Sequence, residues 1–274
     1  MNLKYELTGQ TICIHGVKMH RIRALQSFRN GEIKKGDFGG FIESEKNLAI
    51  TGDSWVFESA LVYGNAVVKE NAAIKGHAVV RGHASVSGNA IVRDHAIVSD
   101  YAVVTNNAYV CDNVQILGRG QVCKKANVTG NTRILDSGTV SGQATVSGRA
   151  RILGGLITGK AVVEGATEIK DNVRICGSAY VKGRTHLGDN MKITSHAKIL
   201  NDKDVMYIKG IPLFGNKKEI TFFRGNGNVV MCVSSDFCGT IDDFFDTIQV
   251  HFKRKSQKSK EHEAIIQLVK EHFE

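Results

Sequence analysis

The chain has 274 residues, a formal net charge of +9 and a sequence isoelectric point near 9.2. It starts without the apolar segment of a signal peptide and contains no run of eighteen apolar residues, so we expect a cytoplasmic protein that does not span a membrane. The six cysteines lack the paired spacing of a zinc site, which predicts free thiols and no metal. The positive charge can steer the protein toward anionic partners.

Residues 1–47 carry no fixed repeat and are expected to form a β-rich N-terminal cap. The stretches KYELTG and TICIHGVKMHRIRAL predict strands, with turns at Gly9 and Gly16. A cap is expected because the open end of a solenoid exposes its core and an unpaired sheet edge.

A six-residue repeat fills residues 48–202. Its units read small–x–Val/Ile–x–Gly/Asp–Asn/His, and we label these positions a to f. Position c is Val or Ile in sixteen successive units over residues 62–152. After RILGG the repeat loses one residue and then resumes. A short fixed period indicates a solenoid, because positions a and c point inward from a short strand while e and f turn the corner.

The period also predicts the size and class of the fold. Three units make one triangular coil, and each coil adds about 4.8 Å, so residues 48–202 predict a prism of roughly eight to nine coils. The fold class is therefore mainly β: a parallel β-helix with a β-rich N-terminal cap and a small α+β C-terminal domain.

The C-terminal domain is expected over residues 203–274. MYIKGI and EITFFRGNGNVVMCVSS predict strands, the second pair turned at GNGN. Thr240 and Asp243 can cap a helix over IDDFFDTIQVHF, and the basic run at 253–260 predicts a solvated loop. EHEAIIQLVKEHF predicts a second helix that turns four apolar residues toward the domain: Ile265, Ile266, Leu268 and Val269.

Units such as GNAVVK, GHAVVR, GNAIVR and GQATVS resemble the hexapeptide repeat of left-handed β-helix proteins, a class that includes CoA-dependent acyltransferases. This resemblance implies a left-handed coil and, commonly, trimers. The block GDFGGFIESEKNL and the segment FCGTIDDFFDTI resemble a group of bacteriophage and prophage proteins, in which Trp often stands where this chain has Phe41. The second resemblance covers all three modules and implies an architecture and an origin, but no activity.

Three histidines of the repeat, His77, His83 and His95, are candidate catalytic residues. His77 and His95 are eighteen residues apart, so we expect them to stack at one corner, about 5 Å apart. In acyltransferases of the resembled class a histidine deprotonates the acceptor, which makes these residues candidate general bases. The competing hypothesis, which we favour, is that histidine replaces asparagine at position f because the turn needs a residue that tolerates positive φ.

The outward positions b and d sort onto three faces. One face is apolar on successive coils and predicts subunit packing, as a trimer by analogy with the resembled class: Leu61, Tyr63, Val79, Ile97, Leu117, Leu135 and Leu153. A second face carries Trp55 and Phe57 together with candidates for stacking on bases or holding phosphates: Lys75, Arg93, Tyr109, Tyr180 and Lys182. The third face is small and hydroxylic. The ordinary outer surface of a flat sheet would give the same patterns.

Two functions from different classes fit these patterns. The favoured one is a non-enzymatic phage or prophage type of binding protein, a rigid oligomeric β-helix without cofactor. It would engage a host protein, a nucleic acid or a small anionic ligand in the host cytoplasm, with antagonism of host defence as one role. The alternative is an acyltransferase that uses acetyl-CoA, with one of the three histidines as general base. The favoured function gains weight because the repeat runs through residues 48–150 without an inserted loop.

Overall fold

The structure is a computed structural model that describes residues 3–194, 196–213, 216–235, 237–251 and 257–274. As the repeat predicts, the protein is mainly β and is built around a parallel β-helix of about nine coils. A small antiparallel sheet and two α-helices follow at the C-terminal end of the described chain. None of the described helices is both long enough and apolar enough to cross a membrane.

The N-terminal segment is an antiparallel sheet. β1 (Tyr5–Ile14) pairs with β2 (Val17–Ala24), which pairs with β3 (Phe38–Ile42). The expected turn at Gly16 is confirmed. The expected turn at Gly9 is wrong, because Gly9 lies inside β1 at a shift in its register with β2. A bulge there accommodates two extra residues of β1 without ending the strand.

Each coil of the β-helix consists of three short strands joined by tight corners. In chain order the strands are β4 (Trp55–Val56), β5 (Leu61–Val62), β6 (Val67–Val68), β7 (Ala73–Ile74), β8 (Val79–Val80), β9 (Ser85–Val86), β10 (Ile91–Val92), β11 (Ile97–Val98), β12 (Val103–Val104), β13 (Tyr109–Val110), β14 (Gln115–Ile116), β15 (Gln121–Val122), β16 (Asn127–Val128), β17 (Arg133–Ile134), β18 (Thr139–Val140), β19 (Thr145–Val146), β20 (Arg151–Ile152), β21 (Leu156–Ile157), β22 (Val162–Val163), β23 (Glu168–Ile169), β24 (Arg174–Ile175), β25 (Tyr180–Arg184), β26 (His186–Leu187), β27 (Lys192–Ile193) and β28 (Lys198–Asn201). We number the coils from coil 1 (β4 to β6) to coil 8 (β25 to β27), and β28 begins a ninth.

Equivalent strands of successive coils pair in parallel and define three faces. Face A contains β5, β8, β11, β14, β17, β20, β23 and β26, and β3 joins it ahead of β5. Face B contains β4, β7, β10, β13, β16, β19, β22, β25 and β28. Face C contains β6, β9, β12, β15, β18, β21, β24 and β27. Because β3 belongs to face A, the cap continues the sheet of the β-helix, and the division at residue 47 stays a prediction.

Positions a and c build the core of the β-helix. Ala78 and Val80 are typical, since both are fully buried in ladders of like residues from neighbouring coils. The backbone N–H groups of positions b and d donate to carbonyl oxygens at a and c of the next coil, as from Leu61 N to Ala78 O at 2.9 Å. Full burial of one valine or isoleucine side chain at position c contributes about 1.5–3 kcal/mol, so the ladders hold the coils together.

At the corners that hold the three candidate histidines, position e rather than position f carries the left-handed backbone. Asp94 has φ 61° and Gly76 has φ 66°, whereas His77, His83 and His95 lie outside this region. For these three histidines the hypothesis of a positive φ at position f is therefore wrong, because the preceding residue, at position e, has the positive φ. His196, at position f near the end of the repeat, does have φ 74°. Acidic residues suit position e for a second reason, because their carboxylates accept the amide N–H of position e one coil further on, as from Asp112 N to Asp94 Oδ2 at 3.2 Å.

The C-terminal domain is an antiparallel sheet followed by two helices. Its elements are β29 (Val205–Leu213), β30 (Asn216–Arg224), β31 (Val230–Val233), β32 (Cys238–Thr240), α1 (Ile241–His251) and α2 (Gln257–Phe273). The expected cap of α1 is confirmed, since Asp243 N donates to Thr240 Oγ1 at 3.1 Å and Thr240 N donates to Asp243 Oδ2 at 2.9 Å.

The second helix departs from its prediction in two ways. Leu268 is 52% exposed, while Ile266 and Val269 are buried, because Leu268 lies about 200° around the helix from Ile266. The predicted loop at 253–260 is in part helical, since α2 begins at Gln257. Residues 253–256 of that run lie outside the described residues.

Strand β30 covers the last coils of the β-helix. Lys192 N donates to Thr221 Oγ1 at 2.9 Å, and Asn190 Nδ2 donates to Glu219 Oε2 at 2.9 Å. Phe223 of the same strand is fully buried in the core that the coils share. The sheet thereby closes the end of the solenoid, and the division at residue 202 stays a prediction.

Candidate functional site

The three candidate catalytic histidines lie at exposed f positions, and each stacks on a ring of a neighbouring coil. His77 stacks on His95 with ring centroids 5.3 Å apart, as the period predicts, and His83 stacks on Tyr101 at 4.8 Å. A histidine that does have a carboxylate partner is His186, whose Nδ1 lies 2.9 Å from an oxygen of Asp202. Within the described chain, the three candidates lack the carboxylate that orients a general base.

Position f is a ladder position, and this explains why histidine and asparagine alternate there. Asn71 Nδ2 donates to Asn89 Oδ1 at 3.0 Å, and Asn89 Nδ2 donates to Asn107 Oδ1 at 2.9 Å. Amides continue such a column through hydrogen bonds, and aromatic rings continue it through stacking. The shared requirement is a flat polar group that meets its like one coil away.

Two basic candidates of face B are already paired. Lys75 Nζ lies 2.8 Å from an oxygen of Glu32 in the cap segment. Arg93 Nε lies 3.1 Å from an oxygen of Asp94, and Arg93 Nη1 lies 3.4 Å from the Tyr109 hydroxyl. The hydrogen bond from Lys75 is the largest cause that lowers the pKa of the Glu32 carboxyl. Lys75 and Arg93 therefore each already have a carboxylate partner within the chain.

The remaining two candidates of face B form a separate cluster four coils away from Tyr109. The Tyr180 hydroxyl donates to Glu164, and Lys182 Nζ lies 3.2 Å from the same carboxylate. The Tyr180 hydrogen bond is the largest cause that lowers the pKa of Glu164, and it raises the pKa of Tyr180 in return. The structure thus brings Arg93 and Tyr109 together and Tyr180 and Lys182 together, but not the two pairs.

Trp55 does not lie on the outer surface of face B, where the repeat places it. It is 1% exposed, because the cap folds over coil 1 and packs Phe28 against its ring at a centroid distance of 5.2 Å. Tyr5 contacts the ring edge-on at 6.3 Å. The expectation of an exposed Trp55 is wrong, because the repeat carries no information on where the cap lies.

The apolar stripe of face A is one feature in sequence but two columns in space. In coils 1 to 3 it occupies position b, and in coils 4 to 6 it occupies position d. The first column is Leu61, Val79 and Ile97, with Tyr63 beside it; the second is Leu117, Leu135 and Leu153. All seven side chains are half-buried. The stripe steps sideways because Gln115, Arg133 and Arg151 take position b in coils 4 to 6.

Positive charge is concentrated in the second half of the β-helix. Residues 109–200 contain 13 Lys and Arg against 6 Asp and Glu, whereas residues 48–108 contain 4 against 5. Electrostatic attraction of an anion therefore acts mainly on coils 4 to 8. The whole-chain charge of +9 conceals this division, which the sequence reveals once it is counted coil by coil.

One group of possible metal ligands occurs at the corner of coils 3 and 4. Asp94, Cys111 and Asp112 place one ligand atom each within 4.8 Å of one another. Both carboxylates already accept backbone amides, and burial, as the largest cause, raises the pKa of the Cys111 thiol to about 11. A neutral thiol is a poor metal ligand, so the group is weakly suited to a cation. Sequence spacing hides the cluster, because its members come together only through the eighteen-residue period.

Comparison with known proteins assigns no family to the chain. No model of a protein family matches it, and no curated protein matches it either. The resemblances seen in the repeat and in the terminal blocks therefore stay predictions. What the molecule itself offers is a β-helix whose outer surface changes character between coils 3 and 4.

Proposed function

We propose that this chain is a non-enzymatic binding protein, a rigid and self-associating β-helix that holds an anionic partner on coils 4 to 8. The observation that carries the proposal is the change along face A, where an apolar b column in coils 1 to 3 gives way to a basic one in coils 5 and 6. A phage or prophage origin, the host cytoplasm and antagonism of host defence belong to the proposal through the resemblance of the terminal blocks.

Rigidity supports binding without turnover. Three sheets hydrogen-bond continuously from coil to coil, and the corners add side-chain ladders. Lids and loops that close on a substrate need weakly held segments, which such a prism does not offer along its length. A fixed array of side chains instead favours recognition by pre-organisation.

Self-association is proposed through the first column of the stripe. Among the outward residues of face A in coils 1 to 3, Arg81 carries the charge, and the column Leu61, Val79 and Ile97 is uninterrupted. In coils 5 and 6 a second copy would meet Arg133 and Arg151, which are exposed. Burial of like charges disfavours packing there. The resemblance to hexapeptide-repeat proteins makes a trimer the expected oligomeric state.

The self-association is tested with two glutamate substitutions of the same stripe. Val79→Glu is expected to lower the mass in sedimentation from about three chains to one chain of 29.9 kDa, because it buries a charge in the contact. Leu135→Glu, in the second column, is expected to leave the assembly intact. Loss of the assembly in Leu135→Glu alone would contradict the assignment of the first column.

The absence of turnover is tested with acetyl-CoA as the probe. We expect acetyl-CoA to remain unchanged when it is incubated with the chain and a panel of amines and sugars. The double variant His77→Ala/His95→Ala then serves as the control for any residual reaction. Acetyl transfer that this variant loses while it keeps its circular dichroism would establish the acyltransferase instead.

A further inference from the structure

The one-residue loss in the repeat shortens a corner of coil 6. Thr139 N donates to Gly155 O at 3.0 Å, a bond that positions b and a make elsewhere, so Gly155 takes position a and Gly154 alone spans the corner between faces A and C. A Cβ atom on Gly154 would lie 2.5 Å from the Asp171 carbonyl oxygen. Only glycine fits this approach, and the corner bears no side chain.

The missing side chains leave a notch in the edge of the prism. Its volume is about 460 Å³, and corner residues of coils 5 and 7 line its two sides. The lining residues used below are Asp136, Ser137, Leu153, Lys170, Asp171 and Asn172. In the neighbouring coils a carboxylate at e accepts the next amide, as Asp171 Oδ2 does from Asp189 N at 2.9 Å. Among the described residues the Asp136 carboxylate has no such hydrogen bond, because the shortened corner of coil 6 does not present that amide.

Three arginines lie at the other edge of the same face. Arg133 and Arg151 are register partners on β17 and β20, so their Cα atoms are about 4.8 Å apart, and Arg149 precedes Arg151 at the corner. Arg151 Nη1 donates to Glu168 Oε2 at 2.9 Å, but Glu168 is shared with Lys170 at 2.5 Å. Within the described chain, Arg133 and Arg149 have no ion pair. Like charges on adjacent strands are unfavourable unless an anion lies between them.

The corner beside the arginines adds a further donor. Asn131 accepts a hydrogen bond from Asn113 Nδ2 at 3.0 Å, which directs its own amide NH₂ toward coil 6. Position f of coil 6 is Arg149, which has no acceptor atom. Asn131 and the three arginines thus occupy neighbouring exposed positions of coils 5 and 6, with Glu168 as the carboxylate partner of Arg151. A multiply charged oxyanion can satisfy such donors through charge-assisted hydrogen bonds.

Leu135 and Leu153 lie between the arginines and the notch. They are half-buried at position d of the strands that carry Arg133 and Arg151 at position b. From Arg151 to Gly154 is three residues, a distance of about 10 Å along the chain. Across this distance face A presents the arginines, the two leucines and a notch whose lining residues include hydrogen-bond donors and acceptors.

We propose that face A of coils 5 and 6 binds a nucleotide. The phosphate lies on Arg133, Arg149 and Arg151, the base packs on Leu135 and Leu153, and the polar edge of the base enters the notch beside Asp136. A free phosphate would leave the leucines and the notch unused, and an acidic peptide would meet the carboxylate of Asp136. The inference rests on the proposed function, because it names the anionic partner of coils 4 to 8.

The test is calorimetric titration of the full chain with the four ribonucleoside monophosphates, inorganic phosphate and the parent nucleosides. We expect one or more monophosphates to bind at least tenfold more tightly than inorganic phosphate and than the matching nucleoside. Equal affinity for inorganic phosphate overturns the proposal, as does binding of a single-stranded oligonucleotide without binding of any monophosphate. The proposal is also overturned if no monophosphate gives a binding heat and nuclear magnetic resonance of the ligand confirms that none binds.

Matched variants separate the site from general charge attraction. Arg133→Gln is expected to weaken monophosphate binding tenfold or more, because it removes charge-assisted bonds to the phosphate. Arg174→Gln is the control, since Arg174 is exposed at the same strand position on face C. An equal loss in both variants overturns the proposal, because it shows that the ligand responds to net charge alone.

The notch is tested by filling it. Insertion of Asn between Gly154 and Gly155 restores a two-residue corner, and Ser137→Trp fills the notch from an exposed corner if the insertion does not fold. Either change is expected to lower monophosphate affinity to that of inorganic phosphate, and unchanged affinity in a folded variant overturns the role of the notch.

Analysis of the nucleotide recovered after the titration separates a failure of the proposed site from a failure of the proposed function. Intact nucleotide fits a binding protein, and converted nucleotide overturns the non-enzymatic function while it retains the site. Absence of nucleotide binding overturns the site and leaves the binding function to another partner.

Discussion

Coils 1 to 3 and coils 4 to 6 share one interior and differ in their exterior. Inside, Val86 of coil 2 and Val140 of coil 5 occupy the same position c on face C and are both fully buried. Outside, the position b column of face A changes from Val79 and Ile97 to Arg133 and Arg151. The same backbone register therefore carries two unrelated surfaces.

The comparison shows that the repeat constrains the two sets of positions differently. Positions a and c must fill a closed prism, so position c is Val, Ile or Leu throughout residues 56–199 and position a is small in most coils. Positions b, d and f meet solvent and their own equivalents one coil away, so they are free to change as long as neighbours tolerate each other. Where neighbouring residues repel each other, as Arg133 and Arg151 do on adjacent strands, we propose that a ligand binds.

The largest expected effects on stability come from substitutions in the interior. They should be equal in coils 1 to 3 and coils 4 to 6, because the two regions share that interior. Val86→Ala and Val140→Ala are each expected to lower the free energy of unfolding by about 2–3 kcal/mol, through lost burial and a residual cavity. Chemical denaturation of both variants measures this, with Thr139→Ala on the outer surface as a control near zero. A difference above about 1 kcal/mol between the two valine variants would show that the interiors differ after all.

Lys4 is buried at the N-terminal end of the β-helix, beside coil 1. Coils 4 to 6 have no buried lysine or arginine among their described residues. Lys4 is 2% exposed beneath the cap, and its Nζ donates to Ala49 O at 2.9 Å and to Ser54 Oγ at 3.1 Å. Burial is the largest cause that lowers the pKa of Lys4 from 10.5 to about 8. The folded state therefore releases this proton before the unfolded state does.

The sign of the pH effect follows from that order of release. Between pH 8 and 10 the unfolded chain holds more protons at Lys4 than the folded one, so the free energy of unfolding is expected to rise by about 2 kcal/mol from this group. Denaturation at both pH values measures the rise, and Lys4→Met removes the part that is due to Lys4. Identical pH profiles for the two proteins would contradict a lowered pKa for Lys4.

The period predicts more of the solenoid than of anything packed on it. An eighteen-residue separation correctly places His77 on His95 and Leu61 beside Val79. Asn and Asp occur at both corner positions e and f and so do not indicate which of the two turns left-handed, but the glycines at e, such as Gly76 and Gly82, are a signal in the sequence that does. The burial of Trp55 and the pairing of Lys75 with Glu32 depend on the cap, whose contacts have no period.

The candidate site shows the same limit of sequence reasoning. The one-residue loss after RILGG is visible in the sequence, and so are the arginines around it. That the loss opens a notch beside Asp136, and that Leu135 and Leu153 lie between the notch and the arginines, depends on which edge of the prism each residue reaches. The stripe of seven apolar residues likewise resembles one surface in the sequence, because positions b and d cannot be told apart in a linear repeat.

The smallest expected effect converts a corner of the second half into one of the first. Arg149→Asn extends the amide ladder of Asn113 and Asn131 by one rung, and it removes a positive charge from the arginine cluster. We expect the free energy of unfolding to rise by about 0.5–1 kcal/mol, the usual net value of one hydrogen bond, and monophosphate affinity to fall.

His77→Asn is the matched change in the first half, and chemical denaturation compares the two. It exchanges a stacked ring for an amide on His95, with no anion-binding cluster beside it, so we expect a change within about 0.5 kcal/mol. If Arg149→Asn also leaves the free energy of unfolding unchanged, the arginines do not repel each other measurably in the free protein. The argument that their like charges require a bound phosphate then fails. If Arg149→Asn stabilises the fold while it weakens binding, stability and ligand affinity are opposed at this corner, as expected where a surface is kept for a partner rather than for the fold.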